Sequence, residues 1–199
     1  TTADNNTAVG YAALAVNSTG TRNVAVGAYA LDGSTTASDN VAVGNAALGA
    51  TTTGQRLVAV GSGALDANTT GDDNTTIGYN SLGGNTTGAS NTAIGSYALD
   101  TNTTGSFNIA IGREALTANT TGTQNTAVGT YALDANTTAS YNTAVGYDAL
   151  SANTGNYNTA VGRQALKANS SGERNVAVGY DALLNANASY NTAIGMHAL

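Results

Sequence analysis

The sequence predicts an all-β protein that winds as a parallel β-solenoid of about twelve coils, and two periodic rows of residues support this prediction. A glycine recurs twelve times at intervals of seventeen or sixteen residues, and a leucine follows every one of these glycines by four residues. Fixed periods in this range are typical of solenoids, in which each repeat buries its apolar face by stacking on its neighbours. The glycines are Gly10, Gly27, Gly44, Gly61, Gly78, Gly95, Gly112, Gly129, Gly146, Gly162, Gly179 and Gly195.

Each repeat opens with the motif Asn-(Thr/Val/Ile)-Ala-(Val/Ile)-Gly, whose asparagine is numbered here as position zero. We predict one repeat domain over residues 1–199, and we expect a fragment of a longer fibre because the pattern is already under way at Thr1 and stops at Leu199. The two sixteen-residue spacings shorten the polar segment that follows the leucine, which predicts a loop there. The twelve repeats begin at Asn6, Asn23, Asn40, Leu57, Asn74, Asn91, Asn108, Asn125, Asn142, Asn158, Asn175 and Asn191.

Positions one to three of every repeat predict a short β-strand. Positions one and three hold Thr, Val or Ile, which are good strand formers, and residues two apart share one face of a strand. We therefore expect the Val/Ile side chains to point into the coil, together with the leucine of position eight, which a second short strand after the glycine would direct inward. Position two is alanine except at Thr76, which predicts a flat outer surface pressed against another sheet or subunit.

The glycine and asparagine rows predict two further features. The glycine of position four is expected to need a positive φ or a close approach of the backbone where the chain turns. The asparagine of position zero is replaced only by Leu57. Asparagine tolerates a left-handed turn, and identical amides stacked on successive coils can form a hydrogen-bonded ladder. At about 4.8 Å per coil, the twelve coils would form a rod about 57 Å long.

The low charge of the chain excludes several classes of function. Only 9% of the residues are charged, the net charge is −6, and cysteine is absent. A negative balance argues against nucleic acid or an anionic membrane surface as a partner, and no apolar run is long enough for direct insertion of this segment into a membrane. The charged residues occupy only positions five, six, nine, fifteen and sixteen, so we expect these positions to face water.

The thin core predicts self-association. One Val/Ile and one leucine per coil make a small core for a lone chain, and a long alanine strip would be an exposed apolar patch. We therefore predict a parallel homotrimer, intertwined or side by side about an axis along the rod, in which the strips are covered. A monomeric three-sided β-helix is the alternative fold.

No combination of residues predicts catalysis, a cofactor or a metal site. His197 is the only histidine, and it has no metal-ligand cluster or carboxylate pair beside it. Asp32, Asp66, Asp100 and Asp134 share position nine in alternate coils. Strand spacing places them roughly 9.6 Å apart, which is too far to share one calcium ion. We interpret them as solvated turn residues.

Tyrosines are the candidate surface contacts. Exposed tyrosines along a rod can stack on sugars or anchor a protein partner, although they are also good strand formers. The sequence also contains ten Asn-x-Ser/Thr sequons, most of them in the polar turns, and their glycosylation would coat one side of the rod. Threonines at positions twelve and thirteen are similar to those of ice-binding solenoids, but they point to opposite sides. The candidate tyrosines, at positions five and six, are Tyr11, Tyr29, Tyr79, Tyr97, Tyr131, Tyr147 and Tyr180.

The run Asn-Thr-Ala-Val-Gly-Tyr-x-Ala-Leu, present at residues 6–14 and 142–150, resembles the head repeats of trimeric autotransporter adhesins and the repeats of related phage and bacterial tail-fibre proteins. The resemblance extends over the whole chain. It implies a left-handed parallel β-roll that assembles as a homotrimer outside the cell, on a bacterial surface or a virion. The implied function is a structural and adhesive fibre segment, a rigid spacer that attaches to a host-surface glycan or protein receptor. The alternative is a solenoid that binds carbohydrate or ice through its lateral surface, and neither function is enzymatic.

Overall fold

A computed structural model describes residues 2–199 and contains one parallel β-sheet of twelve strands in the order of the chain. Each strand pairs in register with the strand of the next repeat, so that Ala93 lies beside Ala110 and Ile94 beside Ile111. The prediction of an all-β parallel solenoid is confirmed. The strands are β1 (Thr7–Val9), β2 (Val24–Val26), β3 (Val41–Val43), β4 (Val58–Val60), β5 (Thr75–Ile77), β6 (Thr92–Ile94), β7 (Ile109–Ile111), β8 (Thr126–Val128), β9 (Thr143–Val145), β10 (Thr159–Val161), β11 (Val176–Val178) and β12 (Thr192–Ile194).

Hydrogen bonds between successive coils extend well beyond the strands. Leu14 N donates to Ala30 O at 3.0 Å, and Ser18 N donates to Thr35 O at 2.9 Å, although these residues lie outside the sheet. Buried backbone groups need hydrogen-bond partners, and this axial pairing supplies them along an irregular chain path. Equivalent residues of successive repeats are thereby held directly above one another.

The segment after each glycine folds into turns, and the prediction of a second short strand there is wrong. In the first coil Ala13 N donates to Gly10 O at 3.4 Å, and Asn17 N donates to Leu14 O at 3.3 Å, which closes two consecutive turns. Within residues 2–199 each coil therefore holds a single strand, whereas a three-sided β-helix would hold three. Non-glycine residues at positions six, eight and sixteen adopt a φ between 48° and 65°.

The two faces of the strand are the reverse of the prediction, because the alanines of position two point inward and the Val/Ile side chains point outward. Ala110 is 0% exposed, whereas Val26 is 36% and Ile111 37% exposed. The reason is the narrow interior of a seventeen-residue coil. The alanine of position seven and the leucine of position eight already fill it, as at Ala115 and Leu116, which are both 0% exposed. The strand can therefore add only a small side chain, which is alanine in every repeat except at Thr76.

Glycine is required at position four by the close approach of neighbouring coils. Gly112 has a φ of 132°, and a Cβ built on it would lie 2.6 Å from the carbonyl carbon of Gly129 in the next coil. No side chain fits at that distance, and the conformation itself strongly favours glycine. Both the positive φ and the close approach predicted for this row are confirmed.

The asparagines of position zero form the predicted amide ladder inside the coil. Asn108 Oδ1 accepts a hydrogen bond from Asn125 N at 3.0 Å, and Asn108 Nδ2 donates to Gly122 O at 2.9 Å. The left-handed conformation predicted for these asparagines is wrong, because the residue before each of them adopts it instead. Leu57 interrupts the ladder, since its side chain offers no oxygen to Asn74 N, the next member.

A second column of asparagines, at position eleven, is buried in the turn. Asn102 Nδ2 donates to Asn85 Oδ1 at 2.8 Å and to Gly105 O at 2.9 Å, and Asn119 continues the pattern by donating to Asn102 Oδ1 at 2.8 Å. These asparagines belong to sequons, yet they are fully buried. The folded coil therefore does not present them for glycosylation.

Candidate interaction surface

The outward side of the sheet is one continuous surface, called here the Val/Ile face. It consists of positions one and three of all twelve repeats, and it contains seventeen valines and isoleucines together with seven threonines. Side chains of position three remain exposed in the middle of the rod, where Ile77 is 43% exposed and Val161 is 37% exposed. The threonines, all at position one, are Thr7, Thr75, Thr92, Thr126, Thr143, Thr159 and Thr192.

The Val/Ile face is apolar, regular and stiff. No charged residue interrupts it at any of the twelve repeats. Because paired strands are about 4.8 Å apart, equivalent side chains of the face recur at this spacing along the rod. β-Branched side chains also have few accessible rotamers. Exposed apolar surfaces of this length mark sites of association in folded proteins.

Two columns of mostly polar and aromatic side chains flank the strands of the Val/Ile face in the sequence. The residue directly before each position zero forms the leading column, and position five, directly after the glycine, forms the trailing column. In the leading column Arg22 forms an ion pair with Asp39 of the next coil, with 2.6 Å between Nε and Oδ1. Arg56 forms the same ion pair with Asp73, also at 2.6 Å. The guanidinium groups hold the pKa of both carboxyls below the usual range for aspartate. These ion pairs are exposed to solvent, so we expect them to add little to stability.

Towards its C-terminal end the leading column becomes aromatic. The rings of Tyr141 and Tyr157 stack with centroids 4.9 Å apart and planes 3° apart. The Arg174 guanidinium lies 5.0 Å from the ring centroid of Tyr157 and 5.6 Å from that of Tyr190. Arg174 also contacts the carboxylate of Glu173 at 3.3 Å. One arginine is therefore held between two tyrosines of neighbouring coils.

The trailing column contains the same arrangement. The Arg163 guanidinium lies 5.9 Å from the ring centroid of Tyr147 and 5.2 Å from that of Tyr180. Its Nη1 also donates to the Tyr180 hydroxyl at 2.6 Å. Within residues 2–199 Arg163 makes no ion pair, whereas each of the other five basic side chains does. Its charge is therefore available to a group outside the chain.

The structure brings the predicted tyrosines together in pairs and not in a continuous strip. Each pair joins positions five and six of neighbouring coils, as in Tyr79 and Tyr97, whose ring centroids are 5.3 Å apart with planes at 84°. The predicted tyrosines remain exposed except for Tyr131, which is half-buried. The other edge-to-face pairs are Tyr11 with Tyr29, Tyr131 with Tyr147, and Tyr180 with His197.

Of the aspartates of position nine, which were predicted to be solvated, Asp66 is exposed, and Asp32, Asp100 and Asp134 are half-buried. Partial burial between the coils raises the pKa of Asp66, Asp100 and Asp134, and the neighbouring charge of Asp32 raises the pKa of Asp66 further. A raised pKa means that the charged carboxylate is less favourable here than in water. Within residues 2–199 no group of three His, Cys, Asp or Glu side chains is arranged to hold a metal ion.

A polar cluster covers the turns of the last coils. Lys167 Nζ lies 2.8 Å from Asp148 Oδ2, and His197 Nδ1 lies 3.7 Å from Asp181 Oδ2. An open cavity of about 380 Å³ lies beside Lys167, next to the aliphatic side chain of Leu184. The Lys167 ammonium therefore neutralises the charge of Asp148 within this cluster.

The sequence-based prediction placed the alanines of position two on the outer side of the strand, where the structure places the Val/Ile face. One signal in the sequence distinguishes the two sides of the strand. Position one accepts threonine in seven of twelve repeats, whereas position two accepts only alanine and one threonine. A position that tolerates a hydroxyl group in most repeats faces outward, and a position restricted to one small residue lies in tight packing.

No protein-family model, no curated protein and no solved structure matches this chain. Among residues 2–199 there is no helix with the length and hydropathy needed to cross a bilayer. The exposed features of the described residues are the Val/Ile face, its two bordering columns and the tyrosines.

Proposed function

We propose that this chain is a structural segment of an extracellular fibre, on a bacterial surface or a virion, in which three parallel copies pack through their Val/Ile faces and form a rigid spacer. The observation that carries the proposal is the uncovered Val/Ile face, which extends along all twelve strands of a single copy. A closed ring of copies about an axis parallel to the rod covers every face equally. The association removes apolar side chains from water, which is the main driving force for assembly.

The dense axial bonding of the coil supports the spacer role. Each coil is joined to the next by backbone hydrogen bonds, by the asparagine columns and by threonine hydroxyls of position twelve, such as Thr86 Oγ1, which donates to Thr103 O at 3.0 Å. These bonds are distributed around the whole contour of the coil, so bending the rod in any direction would strain some of them. A stiff rod suits a segment that holds a binding element away from a surface.

Attachment to a host-surface glycan or protein receptor is the adhesive part of the proposal, and the exposed tyrosine pairs are its candidate contacts. A tyrosine offers a ring face to a sugar and a hydroxyl for hydrogen bonding. The variant Tyr79→Ala/Tyr97→Ala should lower binding to immobilised glycans or cells, while Tyr79→Phe/Tyr97→Phe retains the ring contacts. Equal binding by the parent chain and the alanine variant would contradict this adhesive role.

Sedimentation equilibrium tests the self-association. The chain has a mass of 19.6 kDa, and we expect the mass of three chains in solution. The variant Ile77→Lys/Ile111→Lys places two charges on the Val/Ile face and should be monomeric, because a buried unpaired charge is costly. Thr87→Lys/Thr121→Lys, at exposed turn positions, is the matched control and should keep the parent mass. A parent chain that is monomeric at every concentration would contradict the proposal.

Binding to ice is the second candidate function, and one observation favours it. The threonines of position one and the Val/Ile side chains of position three form a regular outward array on a twelve-stranded parallel sheet. Thermal hysteresis of the parent chain, measured at concentrations where sedimentation shows a monomer, tests this candidate. Hysteresis that is lost in Ile77→Lys/Ile111→Lys would favour ice over self-association as the use of the Val/Ile face.

A further inference from the structure

The two columns that border the Val/Ile face are complementary to each other. Both are exposed, and both contain an arginine between two tyrosines near the C-terminal end. The two arrangements are offset by one coil, because Arg163 follows the strand of the tenth repeat and Arg174 precedes the strand of the eleventh. This offset determines which side chains meet when two copies pack side by side.

If the copies are related by rotation about an axis parallel to the rod, the symmetry determines which columns of neighbouring copies are in contact. Any such rotation, two-fold or three-fold, brings the leading column of one copy next to the trailing column of its neighbour, with no shift along the rod. An antiparallel arrangement would instead bring like columns together. In a parallel assembly the residue before a strand therefore faces the position-five residue of the same repeat in the next copy.

Near the C-terminal end, this symmetry brings arginine and tyrosine side chains together. In the tenth repeat Tyr157 faces Arg163, and in the eleventh Arg174 faces Tyr180. Arginine over a tyrosine ring is an attractive cation–π contact. No repeat places two like charges opposite each other. The facing pairs along the rod are Asn5 with Tyr11, Arg22 with Ala28, Asp39 with Asn45, Arg56 with Ser62, Asp73 with Tyr79, Ser90 with Ser96, Phe107 with Arg113, Gln124 with Thr130, Tyr141 with Tyr147, Tyr157 with Arg163, Arg174 with Tyr180, and Tyr190 with Met196.

A slip of one copy by one coil shifts its two column contacts in opposite directions. At one contact Arg174 would face Arg163, which sets two like charges against each other. At the other contact Tyr157 would face Tyr180 and Arg174 would face Met196, although Tyr141 would then face Arg163 and Arg56 would face Tyr79. The Val/Ile face alone cannot prevent such a slip, because nearly the same surface recurs in every coil. Specificity between close alternatives commonly comes from a repulsive contact in the wrong arrangement.

We infer that the leading and trailing columns form an arginine–tyrosine zipper between copies of this chain, which fixes their parallel, in-register alignment. The inference rests on the proposed self-association and adds what sets its register. The Val/Ile face supplies the apolar area, and the bordering columns select one alignment from the many that this repetitive face allows. The unpaired charge of Arg163 thereby gains a tyrosine ring of the neighbouring copy.

Cysteine cross-linking measures the register directly, because the parent chain contains no cysteine. Ser90 and Ser96 belong to the two columns and face each other in the sixth repeat when the copies are in register, but neither contributes an arginine–tyrosine contact. Ser90→Cys/Ser96→Cys should therefore give intermolecular products with a short bis-maleimide cross-linker. Each single variant is the matched control and should give few products. The reaction is run on the full chain, and sedimentation of the same samples reports whether the copies are associated.

The zipper is then altered in the cross-linking background. Tyr157→Arg places arginine opposite Arg163 and should lower the cross-link yield several-fold while the copies remain associated. The complete exchange, Tyr157→Arg/Arg163→Tyr/Arg174→Tyr/Tyr180→Arg, keeps every facing pair complementary and should restore the yield. A Tyr157→Arg yield equal to that of the parent, with association unchanged, overturns the zipper and leaves the proposed function standing. A parent chain that does not associate overturns both.

Discussion

At the scale of single residues, the coil closes through non-glycine residues in the left-handed region of backbone conformation. Positions six, eight and sixteen have positive φ values in all repeats that the structure describes except at Leu199, and they include Leu116 at 54° and Gln124 at 57°. This conformation costs an L-residue with a Cβ roughly 1–2 kcal/mol. The leucine of position eight offsets the cost by filling the core, whereas an exposed residue of position sixteen has no such compensation.

The first prediction compares glycine with alanine at position sixteen. Gln124→Gly should be more stable than Gln124→Ala by about 1 kcal/mol, because glycine adopts the positive φ of 57° without strain. Thr121 is exposed and has no positive φ, so Thr121→Gly should be less stable than Thr121→Ala, which is the usual order. Urea unfolding of the four variants measures both differences, and the same order at both sites would contradict the assignment.

The residue rows show how far the sequence could predict the structure. The glycine of position four and the leucine of position eight are invariant, which is why the close approach of the backbone at the glycine and the burial of the leucine could be predicted. Thr76 and Ser81 are the only departures from alanine in positions two and seven, they share one coil, and their hydroxyl groups are in contact. The positive φ of Leu116 could not be predicted, because leucine has no preference for that conformation and only the stacked neighbours impose it.

At the scale of the element, the asparagine column of position zero is a continuous hydrogen-bonded strip in the core. Most of these amides both accept from the next coil and donate to a carbonyl of their own repeat, as Asn108 does, whereas Asn142 and Asn175 only accept. Removal of one amide therefore leaves a buried donor in the following repeat without an acceptor. The native interruption at Leu57 shows that one such gap is tolerated when an apolar side chain fills the space, since Leu57 is 0% exposed.

The second prediction removes one amide of this column. Asn108→Ala should destabilise the chain by about 2–4 kcal/mol, from the unpaired Asn125 N–H and from the space left behind. Asn185 is exposed, and Asn185→Ala should change stability by less than about 0.5 kcal/mol. Chemical denaturation measures both changes in the free energy of unfolding, provided that its dependence on denaturant concentration is the same in the variants as in the parent chain. A loss below about 1 kcal/mol at Asn108 would mean that the amide ladder contributes little.

The third prediction concerns pH and the aspartate column of position nine. Burial raises the pKa of Asp100, so the folded state binds this proton more tightly than the unfolded state does. Its contribution to stability is present at low pH and is lost as the pH rises through the raised folded pKa. Asp100→Asn should therefore increase the melting temperature at neutral pH and leave it nearly unchanged in acid.

Asp73 is the matched control for this pH dependence. Hydrogen bonding to Arg56 lowers its pKa, so its contribution is present at neutral pH and is lost as the pH falls through the lowered folded pKa. Asp73→Asn should have no stabilising effect at neutral pH. Melting curves recorded between about pH 3 and pH 7 separate the two variants. An increase of equal size for both would show that the effect comes only from the change in net charge.

At the scale of the whole molecule, the period of the sequence predicted the solenoid, and composition could not predict which side of the strand faces inward. Alternation places positions one and three on one side and position two on the other, and either assignment gives an apolar core. The width of the coil interior determines which of the two sides faces inward, and this width depends on the turns after the glycine. The exposure of the Val/Ile side chains therefore depends on how the coil closes, although the seven threonines of position one already mark that side of the strand as the outward one.

The last prediction follows from covering the Val/Ile face in an assembly. Binding that occurs only in the folded state makes the melting temperature depend on concentration. For three associating chains a tenfold increase in concentration adds about 0.9 kcal/mol per chain. At this chain length that corresponds to a rise of roughly 2–4 °C. The monomeric variant Ile77→Lys/Ile111→Lys should melt at a temperature independent of concentration, and the turn control Thr87→Lys/Thr121→Lys should follow the parent chain. A parent melting temperature that stays constant over a hundredfold range would show that the Val/Ile face is not covered by other copies, because assembly and unfolding would then be uncoupled.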